Sequence, residues 1–172
     1  MEFKQLIEAR RSVRAFREPA GHDDLLDILA LAGRAPSWKN SQTARTYLVE
    51  GERTDAARAA LPSFNQNSSK NAALIVTTFI TDISGYTQGA PDNDGGNFWG
   101  AYDLGLRDAY LVLAAKELGF DTLIMGLRDA ETLRATLDIP QNEQIMSVIA
   151  VGRAADAPEL RPRKPLDEVV RY

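Results

Sequence analysis

Residues 72–80, AALIVTTFI, constrain the fold most. A continuous apolar and β-branched run of this kind reads as a strand covered on both faces, which puts it in the middle of a sheet. A second run, QIMSVIAVG at 144–152, reads as the last core strand. Between them, GAYDLGLRDAYLVLAAKELG at 100–119 is the longest helix. Leu104, Leu111, Leu113, Ala114 and Leu118 cover so much of its surface that a central position is expected. Gly119 is its natural stop.

The remaining elements follow from period and punctuation. Phe3, Leu6 and Ile7 give a short amphipathic helix from Glu2 to about Arg10, and SVRAF continues extended. A second helix opens at Asp23 and Asp24, favourable at its positive end, and buries Leu25, Ile28, Leu29 and Ala32. Pro36 turns RAPSWKNSQ into a loop. TYLVEG is a strand, and RTDAARAAL is a helix stopped by Pro62. FNQNSSKN is irregular or one short helix, and 81–98 is a long polar loop. DTLIMG is a strand and DAETLRATLDI a helix. The tail, RAADAPELRPRKPLDEVVRY, has no core of its own. The strand-like residues of DEVVRY favour an extended run across another surface over disorder. The 172 residues show no repeat or internal boundary, so one domain over 1–172 is expected, with 152–172 as a C-terminal arm.

Composition narrows the chemistry. The absence of cysteine excludes disulfides and thiolate catalysis, and makes a cytoplasmic home the default. The single histidine, His22, argues against a His-rich metal site or a Ser-His-Asp triad and reads as a solvated residue near a helix start. No apolar run approaches the roughly 20 residues that span a bilayer, and the N-terminus does not read as a signal peptide. Phosphate-binding glycine motifs and HExxH are missing, and no nucleophile or base stands out. Any enzyme here leans on a cofactor. With a net charge of -4, general nucleic-acid binding is disfavoured.

Positive charge is instead local. In EARRSVRAF, Arg10, Ser12 and Arg14 share one side of an extended segment, while Arg11 and Val13 face the other. That is a three-point grip for an anion such as one phosphate. The competing reading is a solvated cluster after a helix, where cations are favoured anyway. In APSWKNSQT, Ser37, Asn40, Ser41 and Gln42 offer donors and acceptors suited to a flat heterocycle, or form an ordinary polar turn.

Four segments, taken in order, resemble the nitroreductase family of flavin-dependent oxidoreductases: RRSVRAF, ILALAGRAPSWKNSQTARTYLV, LGLRDAYLVLAAKELGFDTLIMG and IAVGRAAD…RPRKPLDEVV. The resemblance runs nearly end to end. It implies an α+β fold with a central, mostly antiparallel sheet flanked by helices. It also implies a homodimer holding two FMN at its seam, with the long helix in the interface and the tail wrapping onto the partner subunit. Arg10 and Ser12, with Arg11 beside them, would take the FMN phosphate, completed by Arg163 or Arg161. Arg14 would reach the pyrimidine side and stabilise charge on the reduced ring. From the other chain, Pro36, Ser37, Trp38, Asn40 and Gln42 would line the ring and ribityl chain. Asn65 would meet the pyrimidine edge, and Met125 and Gly126 would bring backbone close to the ring.

The implied reaction is ping-pong. NADH or NADPH gives hydride to flavin N5, then a small-molecule acceptor, typically a nitroaromatic or quinone, takes its place. Trp38, Phe98 and Trp99 are candidates to shape the acceptor pocket. The alternatives are a flavin enzyme dedicated to one metabolite, a non-catalytic flavin-binding sensor or store, and a phosphate module without flavin. Two departures stand out. Ser68 occupies a position where relatives often carry a second basic residue, with Lys70 nearby. The segment 81–98 is short for a cover, which implies an open substrate face.

Overall fold

A computed structural model describes residues 2–172. Along the chain lie α1 (Phe3–Ala9), β1 (Phe16–Pro19), α2 (His22–Ala32) and a single 3-10 turn at Trp38–Asn40. Next come β2 (Ala44–Val49), α3 (Arg53–Ala59), α4 (Ser63–Ser68) and β3 (Ala73–Ile80). The strands β4 (Tyr86–Thr87) and β5 (Ala90–Pro91) precede α5 (Phe98–Glu117). The chain closes with β6 (Asp121–Met125), α6 (Ala130–Leu137), β7 (Glu143–Ala154) and α7 (Leu166–Val169).

The apolar run is central, as its composition demands. β3 pairs antiparallel with β2 on one edge, Ile75 opposite Leu48, and with β7 on the other, Ile75 opposite Ile149. β6 lies on the far edge of β7, with Ile124 opposite Ile149. β1 also pairs with β7, Pro19 opposite Gly152, beyond the point where β3 begins. Among the described residues all strand pairs are antiparallel, and the one parallel contact is a bridge between Ser12 and Thr122.

Alternation along β3 explains the unbroken hydrophobic run. Leu74 and Val76 join one core with Leu123, Val148, Leu133 and Leu137. Ile75 joins the other with Ile149, Ile28, Leu111 and Ala115. Helices therefore cover both faces of an α+β sheet, α6 on the first core and α2 and α5 on the second.

Several expectations change. α5 begins two residues early and is buried along one side only. Leu118 is exposed, and Tyr110 and Leu113 line an outward apolar groove of about 500 Å³ with Phe3, Leu6 and Leu31. The polar loop after β3 holds the β4–β5 hairpin, closed by the Asp92 N–H on the Gly85 carbonyl at 2.7 Å. The end of the chain is not strand-like: Leu166–Val169 form one helical turn. No neighbouring strand edge satisfies that backbone, so it closes on itself, with the Val170 N–H on the Leu166 carbonyl. The arm starts after Ala154, because β7 continues past Gly152 to pair with β1. Gly119 does end α5, with φ +85°.

Candidate functional site

The arginine cluster is built by a change of backbone. α1 ends at Arg10, whose ψ of 130° turns the chain extended. The Val13 N–H donates to the Thr122 carbonyl at 3.0 Å, and the Val13 side chain is buried. This pins the segment along β6 and turns Ser12 and Arg14 outward. A cleft of about 360 Å³ results, and Arg161 and Arg163 of the arm line its opposite wall. Arg11 lines it too, against the strict alternation expected, because its guanidinium bends back onto the carbonyls of Glu8 and Arg10.

Five guanidiniums thus share one cleft, and among the described residues none of them forms a salt bridge. Glu159 is the one carboxylate in the lining. Mutual repulsion makes such a set costly without an anion, and planar forks beside a serine hydroxyl suit phosphate oxygens. The donor chemistry therefore fits a phosphate-bearing cofactor.

The second stretch forms a different cleft, of about 230 Å³, that includes Pro36, Ser37, Gln42, Arg45 and Arg107. The two clefts share no residue. Its loop is strained: Lys39, Asn40 and Gln42 all have φ near +50°, at a cost of about 1 kcal/mol or more each. The loop is held by the Gln42 N–H on Ser37 Oγ at 3.0 Å and the Trp38 N–H on Asp103 Oδ2 at 3.0 Å. Ser84 Oγ donates to the same carboxylate oxygen at 2.5 Å. Trp38 does not line this cleft. Its ring packs 4.4 Å from that of Trp99. Asn40 is exposed.

Asn65 is buried in α4, with Nδ2 on the Leu127 carbonyl at 3.5 Å. This sets it beside the end of β6, next to exposed Gly126. Met125 is 2% exposed and its side chain belongs to the core, since alternation along β6 points it inward. Lys70 is exposed. His22 is exposed and paired with Glu50 at 2.7 Å, and that hydrogen bond, then the charge, raises its pKa.

Several residues escaped sequence reasoning. Asp103 clamps Trp38, and Lys39 donates to Thr87 Oγ1 and Asp92 Oδ2. Partners so far apart in the chain leave no local signal. Among the described residues no cluster of metal ligands occurs, and no helix is long and apolar enough to cross a membrane.

A two-faced antiparallel sheet thus carries, at its β6 edge, an arginine-lined cleft whose donors suit a phosphate. The nitroreductase family model matches residues 7–153, and the chain belongs to the nitroreductase family. MhqN of Bacillus subtilis, provisionally named a NAD(P)H nitroreductase, is 28% identical, over 99% of this chain and 98% of its own. A nitroreductase-type structure in complex with FMN, from Exiguobacterium sibiricum, superposes with a TM-score of 0.84 at 19% identity, covering 100% of this chain and 97% of that one. A structure described as an oxidoreductase containing FMN is 29% identical, with a TM-score of 0.75, covering 88% of this chain and 76% of that one.

Proposed function

We propose that this chain is an FMN-dependent NAD(P)H oxidoreductase that works as a homodimer and reduces small nitroaromatic or quinone-type acceptors. The observation that carries the reading is the set of five arginines beside Ser12 that, among the described residues, have no ionic partner. Bound FMN would supply the two-electron hydride chemistry that no side chain here can provide.

The residues have separable tasks. Arg10, Ser12 and Arg163, with Arg11 and Arg161 beside them, hold the phosphate; each charged hydrogen bond contributes about 1.5–3 kcal/mol. Arg14 faces the pyrimidine side and favours negative charge there. Asn65 gives its amide to the same edge, and the chain at Met125 and Gly126 lets backbone approach the ring. Pro36, Ser37, Trp38, Asn40 and Gln42 come from the second copy. The separation of the two clefts within one chain supports that division. So does the apolar groove beside α5, which a second copy would cover. NADH or NADPH and the acceptor then use one open face in turn, which is a ping-pong order, and water supplies the protons.

The test is the double variant Arg10→Ala/Arg163→Ala. It should purify without the yellow flavin band and regain little colour on adding FMN. Full flavin content in the folded double variant would disprove the phosphate assignment.

A further inference from the structure

Gly126 stands where the chain leaves the sheet, and an arginine two residues on holds it there. β6 pairs with β7 only as far as Met125 opposite Val148, while β7 itself begins at Glu143. The first residues of β7 thus have no β6 residue opposite them. Arg128 reaches into this gap. Its Nη2 donates to the Ile145 carbonyl, and its Nη1 donates to the Gly126 carbonyl at 2.5 Å. The stretch is held at two further points. The Asp129 N–H donates to the Ala60 carbonyl at 2.7 Å, and Asn65 Nδ2 lies 3.5 Å from the Leu127 carbonyl.

These contacts set the direction of one peptide. Carbonyl and N–H of a trans peptide point opposite ways, and no cis bond occurs among the described residues. With the Gly126 carbonyl drawn onto Arg128, the N–H of the same peptide, that of Leu127, is turned away from the guanidinium. Among the described residues it meets no acceptor, and Gly126 and Leu127 are both exposed. Nor does the chain's own packing explain the glycine. A Cβ at Gly126 would meet nothing within 4 Å, and its φ is not in the left-handed region. A flat group lying against the backbone would require it. Arg128 is also a costly choice for stability alone. It is half-buried, it forms no salt bridge among the described residues, and its buried Nε meets no acceptor in the chain. Two carbonyl bonds only partly offset that desolvation.

We infer that Arg128 is a positioning residue for the flavin: it fixes the Gly126–Leu127 peptide so that its N–H is presented to the ring. A preorganised N–H offers the positive end of the peptide dipole, which favours the electron-rich reduced flavin over the oxidised one. The inference rests on the flavin-oxidoreductase reading, which brings the ring to Gly126.

The test is the flavin midpoint potential of the FMN-loaded protein, read by spectroelectrochemistry, with the denaturation midpoint of each apoprotein measured alongside. Arg128 lies outside the phosphate cleft, so Arg128→Met should still purify yellow. Its ratio of reduced to oxidised flavin affinity should fall about tenfold, which lowers the potential of a two-electron couple by about 30 mV. Arg128→Lys keeps the charge but not the planar fork that bridges two carbonyls, and its ratio should fall at least about fivefold. The parent's potential in folded Arg128→Met overturns the inference, because a purely structural arginine would move the denaturation midpoint alone. The parent's potential in Arg128→Lys overturns it too, since charge without positioning would then suffice. If Arg128→Met does not fold, Arg128→Lys decides. Gly126→Ala separates the two levels. Its apoprotein should be at least as stable as the parent's, with FMN bound at least about tenfold more weakly. A parent that takes up no FMN, or Gly126→Ala with undiminished FMN affinity, removes the flavin from this edge and the inference with it. A Gly126→Ala protein that loses flavin, beside Arg128 variants at the parent's potential, removes the role of Arg128 alone.

Discussion

At Asp108 a carboxylate sits where α5 and the sheet leave it almost no water. Its Oδ2 accepts the Thr77 hydroxyl at 3.2 Å, Thr77 Oγ1 lies 2.9 Å from Ser147 Oγ, and Oδ1 has no partner. Burial pushes its pKa up to about 6, opposed by the Thr77 hydrogen bond and the Arg107 charge. The folded protein therefore holds this proton more tightly than the unfolded chain. The stabilisation is complete below the ordinary value of 3.8 and is lost as pH rises through about 6. Across that interval the loss is roughly 3 kcal/mol. Asp108→Asn should lose that slope: urea denaturation at about pH 5 and about pH 8 should show the variant gaining on the parent at the higher pH. Identical slopes would acquit Asp108. Nothing in the sequence around Asp108 marks it, since the residue reads as one polar position on an amphipathic helix. Arg10, Ser12 and Arg14 were legible, because three groups within five residues of extended chain already fix their shared side.

Among the elements, α5 shows how a helix with correct periodicity still depends on its neighbour. Gly100 lies in its first turn, where a Cβ would come within 2.4 Å of Phe79 Cδ2 on β3. Phe79 is itself buried, so the ring has little room to yield. Gly100→Ala should destabilise the protein by about 1–3 kcal/mol, read as a lower denaturation midpoint. A midpoint at or above the parent's would mean that the helix start shifts freely. β1, β6 and β7 follow the same logic on the other side. β6 and β7 were readable from their apolar runs, whereas β1 lies just past the extended SVRAF stretch, in FREP. That β7 would carry β3 and then β1 on one edge, and β6 on the other, was not, because the β1–β7 pairing joins residues more than 100 positions apart and nothing local fixes which edge each strand takes.

For the whole molecule, the arm after Ala154 is the feature that a single copy explains least. From Glu159 onward every residue is exposed, including Leu160, Leu166 and Val169. Yet its arginines complete the cleft that Arg10 begins. In the proposed dimer the apolar residues bury on a second copy. Ending the chain at Ala154 should therefore weaken FMN retention at least about tenfold and shift the species toward monomer in sedimentation. A truncated protein that stays dimeric and fully yellow would leave the arm without either role.

The sequence by itself determined the place of the first arginine cluster and the order of the main helices and strands, because both depend on groups a few residues apart. It also set which run had to be central, since only a strand between helical layers can bury both faces. Tertiary structure decided the rest. It brought Arg161 and Arg163 to Arg10, drew Lys39 to the hairpin, left Gly85 and Gly95 open for Trp99, and turned Met125 into the core. Each depends on where the chain closes on itself, and that closure is selected by the summed packing of the two cores rather than by any local pattern.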